Sequence, residues 1–340
     1  MKNNFDLLRL IFAVFVVITH SYILSGNPND FFWQMTKQTT LSYIGVAGFF
    51  VISGYLIFKS FERSKNISDF FEKRIRRIFP GLIIAQLVTL IAISILIKEE
   101  IFFLFQKETI LYFVKGCTIF LQKFRISGLF ENNLHPQVIN GSLWTIPFEF
   151  FLYIFMAVFF TIFKFKDNLF SILLLLVILL SNFLFYDRNI LQGILPESLN
   201  YNLKNLAHFG VFFFSGVLFA KYQIINLKNS KVILITSLLL SFILFFSKSW
   251  ELFHQILIPF LIISAGILHW EPGEKFIKKI GDCSYGIYIY SFPLQQILMN
   301  LFPSLDQKKL ISISLPISIL LGFLSWRFVE KKFLKRSSKL

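Results

Sequence analysis

Residues 5–22 read FDLLRLIFAVFVVITHSY. The run is apolar over a length that crosses a bilayer as a helix. Yet it contains Arg9 and His20. Charged or titratable side chains inside a membrane span are costly, so their presence points to function. The two residues stand eleven apart. At ~100° and ~1.5 Å per residue they return to within about 20° of one direction and lie roughly 16 Å apart along the axis. A helix marked in this way can touch one elongated ligand at two depths. His20 is a candidate general base, because imidazole accepts a hydroxyl proton near neutral pH. A hydrogen bond to a neighbouring helix is the plainer alternative. Arg9 has Asp6 three residues before it, so a local ion pair stands beside the ligand-binding reading.

The rest of the chain agrees with a membrane helix at its start. Of 340 residues, 55% are hydrophobic and 16% charged, a composition suited to a polytopic membrane protein. Apolar runs near 18 residues place ten spans at about 6–24, 42–59, 79–97, 145–163, 169–186, 204–221, 232–247, 253–269, 284–301 and 309–328. An even number puts both termini on one side. That side carries 21 Lys and Arg outside the spans and the other carries 11, so the positive-inside rule places both termini in the cytoplasm. The net charge of +15 is then a matter of topology rather than of nucleic-acid binding. The expected fold is an all-α transmembrane bundle, one integral-membrane domain over residues 1–340 with no separate soluble domain. Segment 98–144 is the long outer loop, and its apolar piece ILYFVKGCTIFL at 110–121 is too short to span and reads as an interfacial or re-entrant helix. Cys117 and Cys283 suggest neither a disulfide framework nor a metal site, and no metal is expected.

Three further segments carry chemistry. GVAGFFVISGYLIF, residues 45–58, is rich in small residues, which allow close helix packing or leave room for a ligand chain. Ser53 lies within it, as a candidate for substrate contact or packing. The basic run EKRIRRIFPG, residues 72–81, places Arg74 and Arg77 three apart on one helix face. Guanidinium forks suit phosphate oxygens, and a positive-inside anchor is the plainer alternative. NGSLWTIPFEFFLY, residues 140–153, sets Glu149 four residues before Tyr153 inside a span. A carboxylate at that depth needs a partner: Glu149 is a candidate catalytic residue that would orient His20 or an acceptor hydroxyl, and a structural pairing with an arginine is the plainer alternative. Trp144 and Tyr153 join Ser53 as residues for substrate contact or packing.

Taken in order, Arg9 with His20, GVAGFFVISG, RIRRIFP and SLWTIPFE resemble the motifs of the membrane-bound acyltransferase-3 family. Similarity continues in CSYGIYIYSFPL (283–294) and SWRFVEKKF (325–333), so it covers nearly the whole chain. The resemblance implies a multi-pass protein of the bacterial inner membrane. It implies transfer of an acyl group, most often acetyl, from cytoplasmic acyl-CoA to a hydroxyl of an envelope glycan such as O-antigen or capsule. His20 falls on the family's catalytic histidine, and Arg9, Arg74 and Arg77 on arginines associated with donor binding. Two departures stand out: Ser291 occupies a position where many relatives have His, and the closing motif reads Glu330-Lys331-Lys332-Phe333. A transporter or flippase for a lipid-linked or anionic substrate is the competing reading, and it would require discontinuous helices and inverted repeats.

Overall fold

The computed structural model describes residues 3–98, 100–162, 167–186 and 194–335. Among these residues the chain is all-helical, and an isolated antiparallel bridge joins Arg125 to Val138. The α-helices are α1 (Phe5–Leu24), α2 (Phe31–Thr36), α3 (Leu41–Glu62), α4 (Ile67–Ile93), α5 (Lys107–Gly116), α6 (Ile146–Ile162), α7 (Asp167–Tyr186), α8 (Glu197–Tyr222), α9 (Leu227–Phe246), α10 (Trp250–Ile267), α11 (Glu271–Ile280), α12 (Ser284–Leu301), α13 (Gln307–Ser325) and α14 (Lys331–Lys335). A π-helical turn extends α4 to Lys98, another joins α13 to α14, and a 3₁₀ turn at Gly141–Thr145 leads into α6.

Among the described residues, eight helices are long and apolar enough to cross a membrane, where hydropathy in the sequence suggests ten. The difference lies at α7 and α12. Within α7, the apolar helix among the described residues is Ser171–Leu184, shorter than the 18 residues a span is counted by. Helix α12 has the length but not the composition, because tyrosines, serines and the pair Gln295–Gln296 interrupt it. It is buried over most of its length, and a helix surrounded by protein needs no apolar outer face. Helix α4 differs in the other direction. It begins at Ile67, well before the apolar run, so the basic segment 72–77 is helical. Lys73 pairs with Asp69 at 2.7 Å and Arg76 with Glu72, both one turn apart, which supports helix through residues that hydropathy scores as loop.

The chain divides into two compact units. One comprises Met1–Phe5, Ala47–Ile67 and Ile146–His269; the other comprises Asp6–Val46, Ser68–Thr145 and Trp270–Leu340. In the first, α3 meets α8 through backbone. A Cβ on Gly54 would stand 1.9 Å from the Phe213 carbonyl oxygen, and one on Gly216 would stand 2.1 Å from that of Val51. Small residues are what permit such an approach. Phe50 stacks on Phe209 alongside, with ring centroids 4.4 Å apart.

In the second unit, Gly286 of α12 faces Gly322 of α13, and Gly45 of α3 lies against the Phe12 carbonyl of α1. The segment after α4 is more than a loop. Phe103, Tyr112, Ile126, Leu129, Phe130 and Ile139 form a core with Leu90, Ile93 and Ile297. Helix α5 has ten residues, too few to span, while Ile110 and Val114 on it and Phe102 and Phe105 before it remain exposed.

Candidate active site

The end of α1 is fixed by a buried carboxylate. Asp30 caps α2 by accepting from the Trp33 amide at 3.0 Å. Its other oxygen accepts from the Thr19 hydroxyl at 2.5 Å and from the Leu41 amide at 2.7 Å. The Ser42 amide in turn donates to Thr19 Oγ1 at 2.9 Å. These bonds compensate a buried charge and tie α1 to the start of α3, one residue from His20.

His20 meets the ring of Phe292 edge-on, with centroids 5.2 Å apart. Its Nδ1 is buried and has no hydrogen-bond partner among the described residues. The same Phe292 ring lies so close to Gly141 that a Cβ there would come within 2.7 Å of it. The segment 140–145 is pinned along α12. Asn140 donates to the Ile289 carbonyl at 2.8 Å, and Tyr288 donates to the Ser142 carbonyl at 2.6 Å and lies 2.8 Å from the Thr145 hydroxyl. Half-buried Trp144 belongs to this segment. His20 and the SLWT motif are therefore joined through α12.

The arginines gather in the same unit. Arg9 pairs with Asp6 at 2.5 Å and, through its other terminal nitrogen, with Asp282 at 3.1 Å. Arg77 reaches the same Asp282 oxygen at 2.6 Å and Glu330 at 3.4 Å. Ser284 donates to the second Asp282 oxygen at 2.6 Å, and Ser325 donates to Glu330 at 2.9 Å. Arg9 thus makes the local pair expected from sequence and a distant one as well. Arg74 lies over the Phe70 ring at 5.7 Å and is not among the residues ion-paired to Asp282.

Burial alone would raise the Asp282 carboxyl, but the Arg77 and Arg9 guanidiniums outweigh it and hold the group down at about 2. A depressed carboxyl contributes stability that is complete above its unfolded value of about 4 and is lost as pH falls through the folded value. The stability that the wild type holds over D282N in detergent should therefore persist down to about pH 4 and fall away between about pH 4 and about pH 2. A difference that does not shrink over that lower range would disprove the pairing.

Gly281 shapes the approach to Asp282. Its φ of +80° favours glycine, and a Cβ would stand 1.9 Å from Trp326 Nε1. Arg77 lies 5.6 Å over that indole ring. Gly281→Ala should displace Trp326 and lower stability by more than about 1 kcal/mol, read as a lower melting temperature with a shifted tryptophan emission. Unchanged melting and emission would show that the indole is not held there.

The first unit holds the other candidates. Ser53 donates to Glu149 Oε1 at 2.7 Å and lies 2.8 Å from the Tyr153 hydroxyl, which also donates to that oxygen. Glu149 and Tyr153 pair one turn apart on α6, and Ser53 joins them from α3. His20 and Glu149 belong to different units. His208 and His254, each unremarkable in sequence, have ring centroids 6.4 Å apart in the first unit.

Residues 2–327 match the acyltransferase domain that defines the acyltransferase-3 family. This chain belongs to the acyltransferase-3 family. It is an acyltransferase, and family membership removes the support for a transporter or flippase. The chain is similar to an O-acetyl transferase of Shigella phage Sf6, at 32% identity over 99% of this chain and 97% of the relative. It is also similar to nodulation protein 10 of Rhizobium leguminosarum bv. viciae, at 31% identity over 45% of this chain and 42% of that protein. No solved structure matches.

In this acyltransferase-3 protein, Asp282 and Asp30 fall outside the motifs legible in sequence, and Glu330 enters them only as part of the closing motif. Asp282 and Glu330 lie 205 and 253 residues from Arg77, beyond any local spacing rule. The signal in sequence was weak: Glu330 stands at the end of the last apolar run among Arg327, Lys331 and Lys332, where a local pair is the nearer reading. Asp30 could have been read as a helix cap ahead of FFWQMT.

Proposed function

We propose that the protein is an O-acetyltransferase that moves an acetyl group from cytoplasmic acetyl-CoA to a hydroxyl of an envelope glycan, such as O-antigen or capsule. The similarity to a phage O-acetyl transferase over 99% of the chain is the observation that carries this reading. We place it in the bacterial inner membrane as one integral-membrane domain over residues 1–340. It has ten spans, with α7 and α12 counted among them, and both termini in the cytoplasm.

Arg9, Arg74 and Arg77 bind the donor phosphates at the cytoplasmic end. The guanidinium cluster on α1 and α4 supports this assignment, as does Arg9 Nε, a buried donor with no hydrogen-bond partner among the described residues. The pantetheine arm follows α1, whose rise of roughly 16 Å from Arg9 to His20 suits an extended chain. His20 removes the proton from the acceptor hydroxyl, and the alkoxide oxygen attacks the thioester carbonyl. The C–S bond then breaks, and the proton returns from His20 to the departing CoA thiolate. The products are an acetyl ester and CoA-SH. Unpartnered His20 Nδ1 supports this role. Glu149 is assigned to acceptor binding, with Ser53 and Tyr153 holding one of its oxygens. Trp144 and Tyr153 are assigned to acceptor contact or packing.

The test is purified protein in detergent with radiolabelled acetyl-CoA, with and without envelope glycan from the producing cell. Label transferred to glycan, with release of CoA dependent on acceptor, is the expected result. Donor binding with no acceptor-dependent turnover would refute the proposal.

A further inference from the structure

We propose that Asp282 is a positioning residue for the acyl donor, holding Arg9 and Arg77 at a spacing that one phosphate can bridge. The inference rests on the assignment of these arginines to the donor. Arg9 Nη1 and Arg77 Nη2 both reach Asp282 Oδ2, at 3.1 Å and 2.6 Å. Their helices, α1 and α4, are far apart in sequence, and two guanidiniums left facing each other would repel.

Asp282 does more than neutralise one cation. Asp6 pairs with Arg9 alone, and Glu330 with Arg77 alone. Among the described ion pairs, only Asp282 touches both arginines. It is the carboxylate that the two cations share, so it fixes their separation as well as offsetting their charge. Its place in the fold suits that task. Asp282 lies in the short link between α11 and α12, and Ser284 anchors its second oxygen at 2.6 Å. The arrangement uses only part of each guanidinium fork, which has five donors, and Arg9 Nε is among those left over. A phosphate can therefore join the arginines without displacing the carboxylate that aligns them.

The test uses the full chain in detergent, with CoA as the binding probe and acetyl-CoA as the substrate. Asp282→Asn should raise the Kd for CoA and the KM for acetyl-CoA by about tenfold or more, with the loss falling mainly on KM rather than on kcat. Asp282→Glu, which restores the charge, should recover affinity to within about threefold of the wild type. If Asp282→Asn does not fold, Ser284→Ala decides: it leaves the charge and removes the anchor, and should weaken CoA binding by about threefold. Wild-type binding of CoA with unchanged or tighter binding by Asp282→Asn overturns this inference alone, as does unchanged binding by Ser284→Ala. A wild-type chain that binds no CoA overturns the donor assignment, and this inference with it.

Discussion

Acyl transfer is expected to disappear when His20 becomes alanine, while the protein still inserts and folds. A positioned general base contributes about 10²- to 10⁴-fold, so turnover should fall by at least about 100-fold. The fold should persist because the polar ties at this end of α1 run through Thr19 and Asp30, not through the imidazole. The main packing loss is the edge-on contact with Phe292, worth about 1 kcal/mol. Monodisperse elution in detergent, together with acetyl-CoA turnover, separates the two effects. Turnover within a few-fold of the wild type in a folded variant would rule out His20 as the base. The same variant removes a covalent acyl-imidazole route, which would otherwise leave labelled acetyl on the denatured wild-type protein.

The second large effect is structural. Gly54→Leu should abolish the folded state, because its Cβ would meet the Phe213 carbonyl at 1.9 Å and neither helix backbone can yield. Ordinary overpacking costs about 1–3 kcal/mol when side chains can shift, and a clash against backbone should exceed that range. The expected outcome is loss of monodisperse protein and of protease resistance, with Gly216→Leu behaving alike from the facing helix. A Gly54→Leu protein that melts within a few degrees of the wild type would show that α3 and α8 do not meet there. The small residues of the 45–58 segment are thus explained at Gly45 and Gly54 by packing.

What was legible from sequence followed local periodicity. The local pair of Arg9 with Asp6 and the one-turn pairing of Glu149 with Tyr153 depend only on helix geometry. Most spans were legible for the same reason, since lipid imposes an apolar run. The limits appear where protein, not lipid, is the surroundings. Buried α12 carries polar residues that satisfy neighbours, with Gln295 donating to Val17 and Ser21, and its hydropathy is correspondingly weak. The partners of Arg77 and of Ser53 come from distant parts of the chain, and no spacing rule reaches them. The helical start of α4 was hidden because its charged turns are held by ion pairs rather than by burial.

Phe292 meets the ring of His20 and also lies against the bare backbone of Gly141. It therefore works as a mechanical stop whose clearance is set by a missing methyl group. Adding that methyl at Gly141 would push the phenyl ring and, through it, tilt the imidazole. With His20 as the proposed base, its aim would be a tolerance shared among three parts, and variation in segment 140–145 would retune reactivity without altering the imidazole itself.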